Sequence, residues 1–211
     1  MSRVIEKTLY KFNELSDTAK ERARDWYRGC IESDELTDYD DWIAIGDILG
    51  VTFKQRAVPL MSGKTRYDPC IFWSCSYSQG DGACFEGSYA YAKLAGKKIR
   101  KHASLDKELH RIADELTAIQ RRYFYKIEAK ITHSGHYYHS GCMSVDVSTP
   151  TSDYFQSTPA SFDEVKQLLR DFADWIFEKI QAQSEYLHSE EAIDETMECN
   201  DYEFDENGKR T

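Results

Sequence analysis

The stretch Cys142-Met143-Ser144-Val145-Asp146-Val147-Ser148 alternates polar and apolar side chains without a break. A period of two is the signature of a half-buried β-strand. Cys142, Ser144, Asp146 and Ser148 fall on one face, and Met143, Val145 and Val147 on the other. The spacing predicts a strand over Tyr137 to Ser148. Tyr123 to His133 alternates in the same way and is expected to pair with it, with His133-Ser134-Gly135-His136 at their turn. An antiparallel pair with one apolar face needs a layer to cover that face.

Such layers lie on both sides in the sequence. Downstream, Ser161-Phe162-Asp163-Glu164 is a capping-box pattern. Phe162, Val165, Leu168, Leu169, Phe172, Trp175, Ile176 and Ile180 follow on one helical stripe. Upstream, Leu105, Leu109, Ile112, Ala113, Leu116 and Ile119 form another, with Ser104 as the expected cap. Near the N-terminus, Ser16 is placed to cap a helix carrying Ala19, Ala23, Trp26, Tyr27 and Cys30. A shorter helix over Trp42 to Leu49 should stop at Gly50. Val4–Phe12, Val51–Phe53 and Cys70–Tyr77 are further strand candidates, and Ser62-Gly63-Lys64 is a turn. Cys84 to Ala95 reads equally as a strand or as a helix running toward Lys101. The sum is an α+β fold: a central antiparallel sheet with flanking amphipathic helices, the longest of them C-terminal.

No repeat and no Pro/Ser-rich linker divides the 211 residues. A single domain over 1–188 is expected, followed by an acidic tail over 189–211. That tail either docks as a short edge strand or stays loose. The six cysteines lie at 30, 70, 75, 84, 142 and 199, without a tight framework, so free thiols and a cytoplasmic setting are expected. No apolar leader and no membrane-spanning run occur in the sequence. The formal net charge of −10 argues against direct contact with nucleic-acid phosphates. Residues 32–47 and 185–206 are acidic, whereas Lys93 to Lys130 is rich in Lys and Arg. Internal pairing explains such asymmetry most simply. An acidic face that imitates phosphates and occupies a partner's basic groove is the functional alternative.

The stretch Ser78-Gln79-Gly80-Asp81-Gly82-Ala83-Cys84-Phe85 carries the strongest chemical signal. Glycines on both sides of Asp81 allow backbone N–H groups to be presented to an anion. Gln79, Gly80, Asp81 and Gly82 are therefore candidate binding residues, as are the carboxylates of Asp38, Asp40 and Asp41. A cysteine after such a loop can act as a nucleophile if a histidine lies beside it. Asp81-Gly82-Ala83-Cys84-Phe85 resembles the nucleophile motif of ovarian-tumour-type cysteine peptidases, and Gly135-His136-Tyr137 resembles their catalytic His followed by Tyr. The resemblance implies Cys84 as nucleophile, His136 as base and Asp81 in the oxyanion-hole loop. The interval between Cys84 and His136 is shorter than that family uses. His133, His136 and His139, with Cys142, invite comparison with a zinc site, but their spacing spreads them over mixed faces of a hairpin. No metal or cofactor is expected.

Longer segments carry a second resemblance. Leu15-Ser16-Asp17-Thr18-Ala19-Lys20-Glu21-Arg22-Ala23-Arg24-Asp25-Trp26-Tyr27, the 78–85 loop and the tail from Ser189 through Phe204 resemble small acidic proteins of bacteriophages and prophages. These are often named antitoxins of toxin–antitoxin stability systems, and the similarity runs from near residue 8 to the C-terminus. The resemblance implies a phage accessory protein in a bacterial host cell. It would act as a non-catalytic inhibitor by binding a toxin, host or defence protein. A cysteine hydrolase using Cys84 and His136 is the alternative.

Overall fold

A computed structural model describes residues 7–76, 78–150 and 160–211. In chain order the elements are β1 (Tyr10–Lys11), α1 (Asp17–Arg28), α2 (Tyr39–Leu49), β2 (Val51–Phe53), β3 (Gln55–Pro59), β4 (Thr65–Pro69), β5 (Ile71–Ser74), β6 (Gly82–Phe85), β7 (Gly87–Ala90), α3 (Ala95–His102), α4 (Lys107–Arg122), β8 (Glu128–His133), β9 (Met143–Ser148), α5 (Ala160–Leu187), α6 (Glu190–Cys199) and β10 (Glu203–Phe204). The fold is α+β, with antiparallel strand pairing and a long helix toward the C-terminus. Two compact units divide the chain. One combines Met1–Thr37 with Ile180–Thr211, and the other spans Asp38–Lys179. These boundaries differ from a cut at residue 188.

The larger unit is built on an antiparallel sheet in the order β2-β7-β8-β9. Its register sets apolar residues opposite one another, Ile131 against Val145 and Ala129 against Val147. Val51, Phe53, Tyr89, Ala129, Ile131, Val145 and Val147 are buried, while Thr52, Ser88, Lys130, Ser144 and Asp146 between them face solvent. The stripe of α5 expected from sequence is buried throughout. Phe172 from it meets Phe85 and Phe53 at ring-centroid distances of 5.7 and 6.2 Å. Full burial of one such side chain contributes about 1.5–3 kcal/mol. Three contacts fix α4 and α5 as antiparallel: Arg122 with Glu164, Arg111 with Asp171, and Asp106 with Trp175.

Two further features position the sheet. Gly50 ends α2 in a left-handed conformation (φ 92°), and a Cβ there would sit 2.0 Å from the Ala90 carbonyl oxygen. Glycine alone allows that approach. Gln120, fully buried on α4, donates from Nε2 to the Ile127 carbonyl at 2.8 Å and accepts at Oε1 from the Ile127 N–H at 3.1 Å. The side-chain amide thus replaces a missing strand partner just before β8.

Several boundaries differ from the sequence expectation. Asp106 caps α4 by accepting from the Leu109 N–H, and Ser104 lies in the preceding turn. The strand expected from Tyr123 begins only at Glu128, because Phe124 and Tyr125 take positive φ values of 54° and 61° after α4. The one expected from Tyr137 begins at Met143, since Ser140–Cys142 winds into a 3-10 turn. Cys84 to Ala95 resolves into β6 and β7, which places Cys84 in a strand. Val4–Phe12 is reduced to β1, with residues 1–6 outside the described residues, as are Tyr77 and 151–159. Ser161 lies inside α5 and shares a hydrogen bond with the Tyr123 hydroxyl.

The smaller unit joins chain segments far apart in sequence. Ser16 caps α1 as expected, its Oγ accepting from the Ala19 N–H. The small residues Ala19 and Ala23 share a buried cluster with Ile193 and Met197 of α6 and with Phe12, Leu15 and Phe204. β1 pairs with β10, Tyr10 opposite Phe204 and Lys11 opposite Glu203. Residues 189–211 thus carry a helix and a short strand.

Candidate functional site

The β5–β6 connection and the β8–β9 connection meet. A Cβ on Gly80 would lie 2.4 Å from the Tyr137 ring, and one on Gly82 would lie 2.5 Å from the His139 Cβ. Gly82 is required by this approach, since backbone atoms of Tyr138 and His139 would lie within 3 Å of its Cβ, whereas the exposed Tyr137 ring could move away from a side chain at Gly80. Behind them Phe72 stacks on Tyr138 at 5.8 Å and packs against His133 at 5.6 Å, with the Arg56 guanidinium over its ring. Glu86 accepts from Lys54 and from the His133 N–H, which outweighs its burial and holds its carboxyl below the usual range.

Asp81 organises its own loop. Its carboxylate accepts from the Ser76 and Ser78 N–H groups, both at 2.8 Å, and from the hydroxyls of Ser74, Ser76 and Ser78. Desolvation opposes its ionisation, but these hydrogen bonds prevail and lower its pKa to about 2. Of the loop's own donors, the Asp81 N–H is spent on the Ser78 carbonyl at 3.2 Å. Gln79 is exposed and makes no side-chain hydrogen bond among the described residues.

Cys84 is 1% exposed, and burial pushes its thiol up to about 12. A neutral thiol is a poor nucleophile. His136 is exposed and makes no hydrogen bond or ion pair among the described residues. The Cys–His hydrogen bond at these loops joins Cys142 to His139, Sγ to Nε2 at 3.2 Å. His139 and Cys142 bracket the 3-10 turn three residues apart, and that spacing was the one signal available in the sequence. Among the described residues no three His, Cys, Asp or Glu side chains converge on a point that could hold a metal.

The acidic candidates divide by role. Asp38 caps α2, accepting from the Asp41 N–H at 3.0 Å. Asp41 bonds the His102 ring at 2.6 Å. Asp40 is exposed with no ion pair among the described residues. Sequence reading missed a sharper contrast on α6. Glu190 and Asp194 are held by Arg24, whereas Glu191, Glu195 and Glu198 are exposed and unpaired among the described residues. Their spacing sets them on one helical face.

A family model described as "Domain of unknown function (DUF8835)" matches residues 36–190. The chain belongs to this family. The DUF8835 segment takes in the sheet, the two meeting loops and all of α5, and leaves α1 and most of α6 outside. No curated protein and no solved structure matches the chain. No helix of the described residues is long and apolar enough to cross a membrane.

Proposed function

We propose that this protein is a non-catalytic, protein-binding inhibitor, a phage accessory protein that acts in the cytoplasm of a bacterial host. Its targets are a toxin, a host protein or a component of a defence system, engaged through carboxylates that stand in for nucleic-acid phosphates. The observation that carries this reading is the placement of Glu195 and Glu198. Acidic residues favour the N-terminal turn of a helix and oppose the dipole at its C-terminal end. Glu190 and Glu191 are explained by that rule, but Glu195 and Glu198 are not. The last turn of α6 contains no basic residue to offset them. Charges kept where they weaken the helix, and left without an internal partner, are available to a partner's Lys and Arg.

The test is capture from bacterial lysate with tagged protein and with the variant E191Q/E195Q/E198Q. A single stoichiometric basic partner is expected, released by moderate salt and missing from the variant. Retention of the same partner by the variant, with an unchanged salt profile, would sink the mimicry.

A further inference from the structure

The smaller unit also carries a cationic pocket, in a chain whose formal net charge is −10. Arg22 and Trp26 lie one turn apart on α1, and the turn Asn207-Gly208-Lys209-Arg210 closes against them around a hollow of about 370 Å³. Gly208 makes the closure possible. At φ 80° its backbone packs on α1 so tightly that a Cβ would lie 2.0 Å from the Ala19 carbonyl oxygen. The Arg210 guanidinium sits at the corner of two edge-to-face rings, 5.0 Å from the Trp26 centroid and 4.1 Å from that of Tyr202.

Six of the nine described arginines outside the pocket hold carboxylates, and among the described residues the other three, Arg56, Arg121 and Arg170, do not. Arg24, Arg28, Arg66, Arg100, Arg111 and Arg122 each hold at least one. Among the described residues Arg22, Lys209 and Arg210 hold none, and no side-chain N–H of theirs reaches a protein acceptor. Asp205 accepts from the Lys209 N–H at 3.0 Å and feels the Lys209 charge, but no acid among the described residues lines the hollow itself, where three cations converge in a chain with 37 acidic residues against 27 basic ones. The two ring contacts hold Arg210 at the pocket wall, and its N–H groups have no protein acceptor among the described residues. A guanidinium offers paired donors matched to phosphate oxygens.

We infer that this pocket binds a phosphate chain, with Arg210, held against two rings, as the fork and Arg22 and Lys209 as flanking charges. A chain of two or more phosphates suits three spread cations better than a single phosphate does. The source is either free polyphosphate or a nucleotide, whose base would lie against the exposed part of Trp26. The site is separate from the α6 carboxylate face.

The experiment is calorimetric titration of the full chain with inorganic pyrophosphate at low salt, repeated with ATP. Saturable one-to-one binding is expected. R22Q/K209Q should weaken it more than tenfold with an unchanged thermal midpoint. R210K, which keeps the charge and loses the fork, should weaken it as well. K97Q/K98Q, which removes two exposed lysines of α3, should leave it intact. ATP binding more tightly than pyrophosphate would identify a nucleotide as the source, and equal affinities a bare phosphate chain. Absence of saturable binding to either, or equal loss in K97Q/K98Q and R22Q/K209Q, would overturn the site.

Discussion

Arg24 and Asp194 face each other as a two-pronged pair, Nε to Oδ1 at 2.7 Å and Nη2 to Oδ2 at 2.6 Å. The pair ties α1 to α6, and the Arg24 side chain is only 13% exposed. Charge-assisted bonds in that setting outweigh the near-neutral worth of surface ion pairs. Arg24→Ala should lower the unfolding free energy by about 2 kcal/mol, measured by urea denaturation. Arg24→Lys should restore only part of the loss, because an ammonium cannot reproduce the fork.

The α6 carboxylates should behave in the opposite sense. Neutralising Glu195 and Glu198 to Gln removes charges that oppose the helix dipole. The variant should gain about 0.3–1 kcal/mol in stability while losing partner capture. Stability lost along with binding would mean that these side chains serve the fold.

Asp81 sets an acid-range dependence. Its folded pKa of about 2 lies below the ordinary value of 3.8. The stabilisation from its hydrogen bonds is therefore fully present above pH 3.8 and fades as pH falls toward 2. A carboxyl-carbon NMR titration should place the Asp81 midpoint near 2. In Asp81→Asn, the Ser76 and Ser78 amides should exchange with solvent faster.

Cys84 should be the slow thiol. Cys30 and Cys199 are exposed, whereas Cys84 is buried with its ionisation suppressed. Mass-spectrometric mapping after iodoacetamide treatment at pH 8 should show Cys30 and Cys199 alkylated well before Cys84. Rapid labelling of Cys84 in the folded chain would revive the hydrolase alternative.

Gln120→Leu fills the same space with no polar atoms. It strands the Ile127 N–H and C=O inside the protein. Each unsatisfied buried group costs about 1–3 kcal/mol, so a large drop in thermal midpoint is expected, well beyond that of an exposed substitution such as Gln79→Leu.

The parts legible in the sequence are those with an uninterrupted period. The α5 stripe repeats over five turns and β9 alternates over its full length, so both were readable together with their buried faces. Single residues with non-periodic roles were harder to place. Phe124 and Tyr125 favour strands by type yet adopt left-handed conformations, which no pattern announces. Ser104 and Asp106 are both good caps, and only the folded chain chooses between them. The meeting of the Gly80–Gly82 loop with the second histidine-bearing connection was foreshadowed by the glycines. The contact falls on Tyr137 and His139, however, and loop closure rather than spacing decides which histidine bonds which cysteine. β10 is two residues long, and its partner lies at the other end of the sequence. The approach of Arg210 to Trp26 and Tyr202 leaves no trace in the order of residues.

The interleaved chain path of the smaller unit has a consequence for biosynthesis. A ribosome delivers α1 well before Ile193, Met197 and Phe204, which the cluster that covers Ala19 and Ala23 needs. Residues 38–179 hold a sheet and core of their own and can close while the nascent chain is still attached. The earlier-made α1 therefore waits for the later-made α6, and translation products that stop before α6 would display α1 with its apolar face bare.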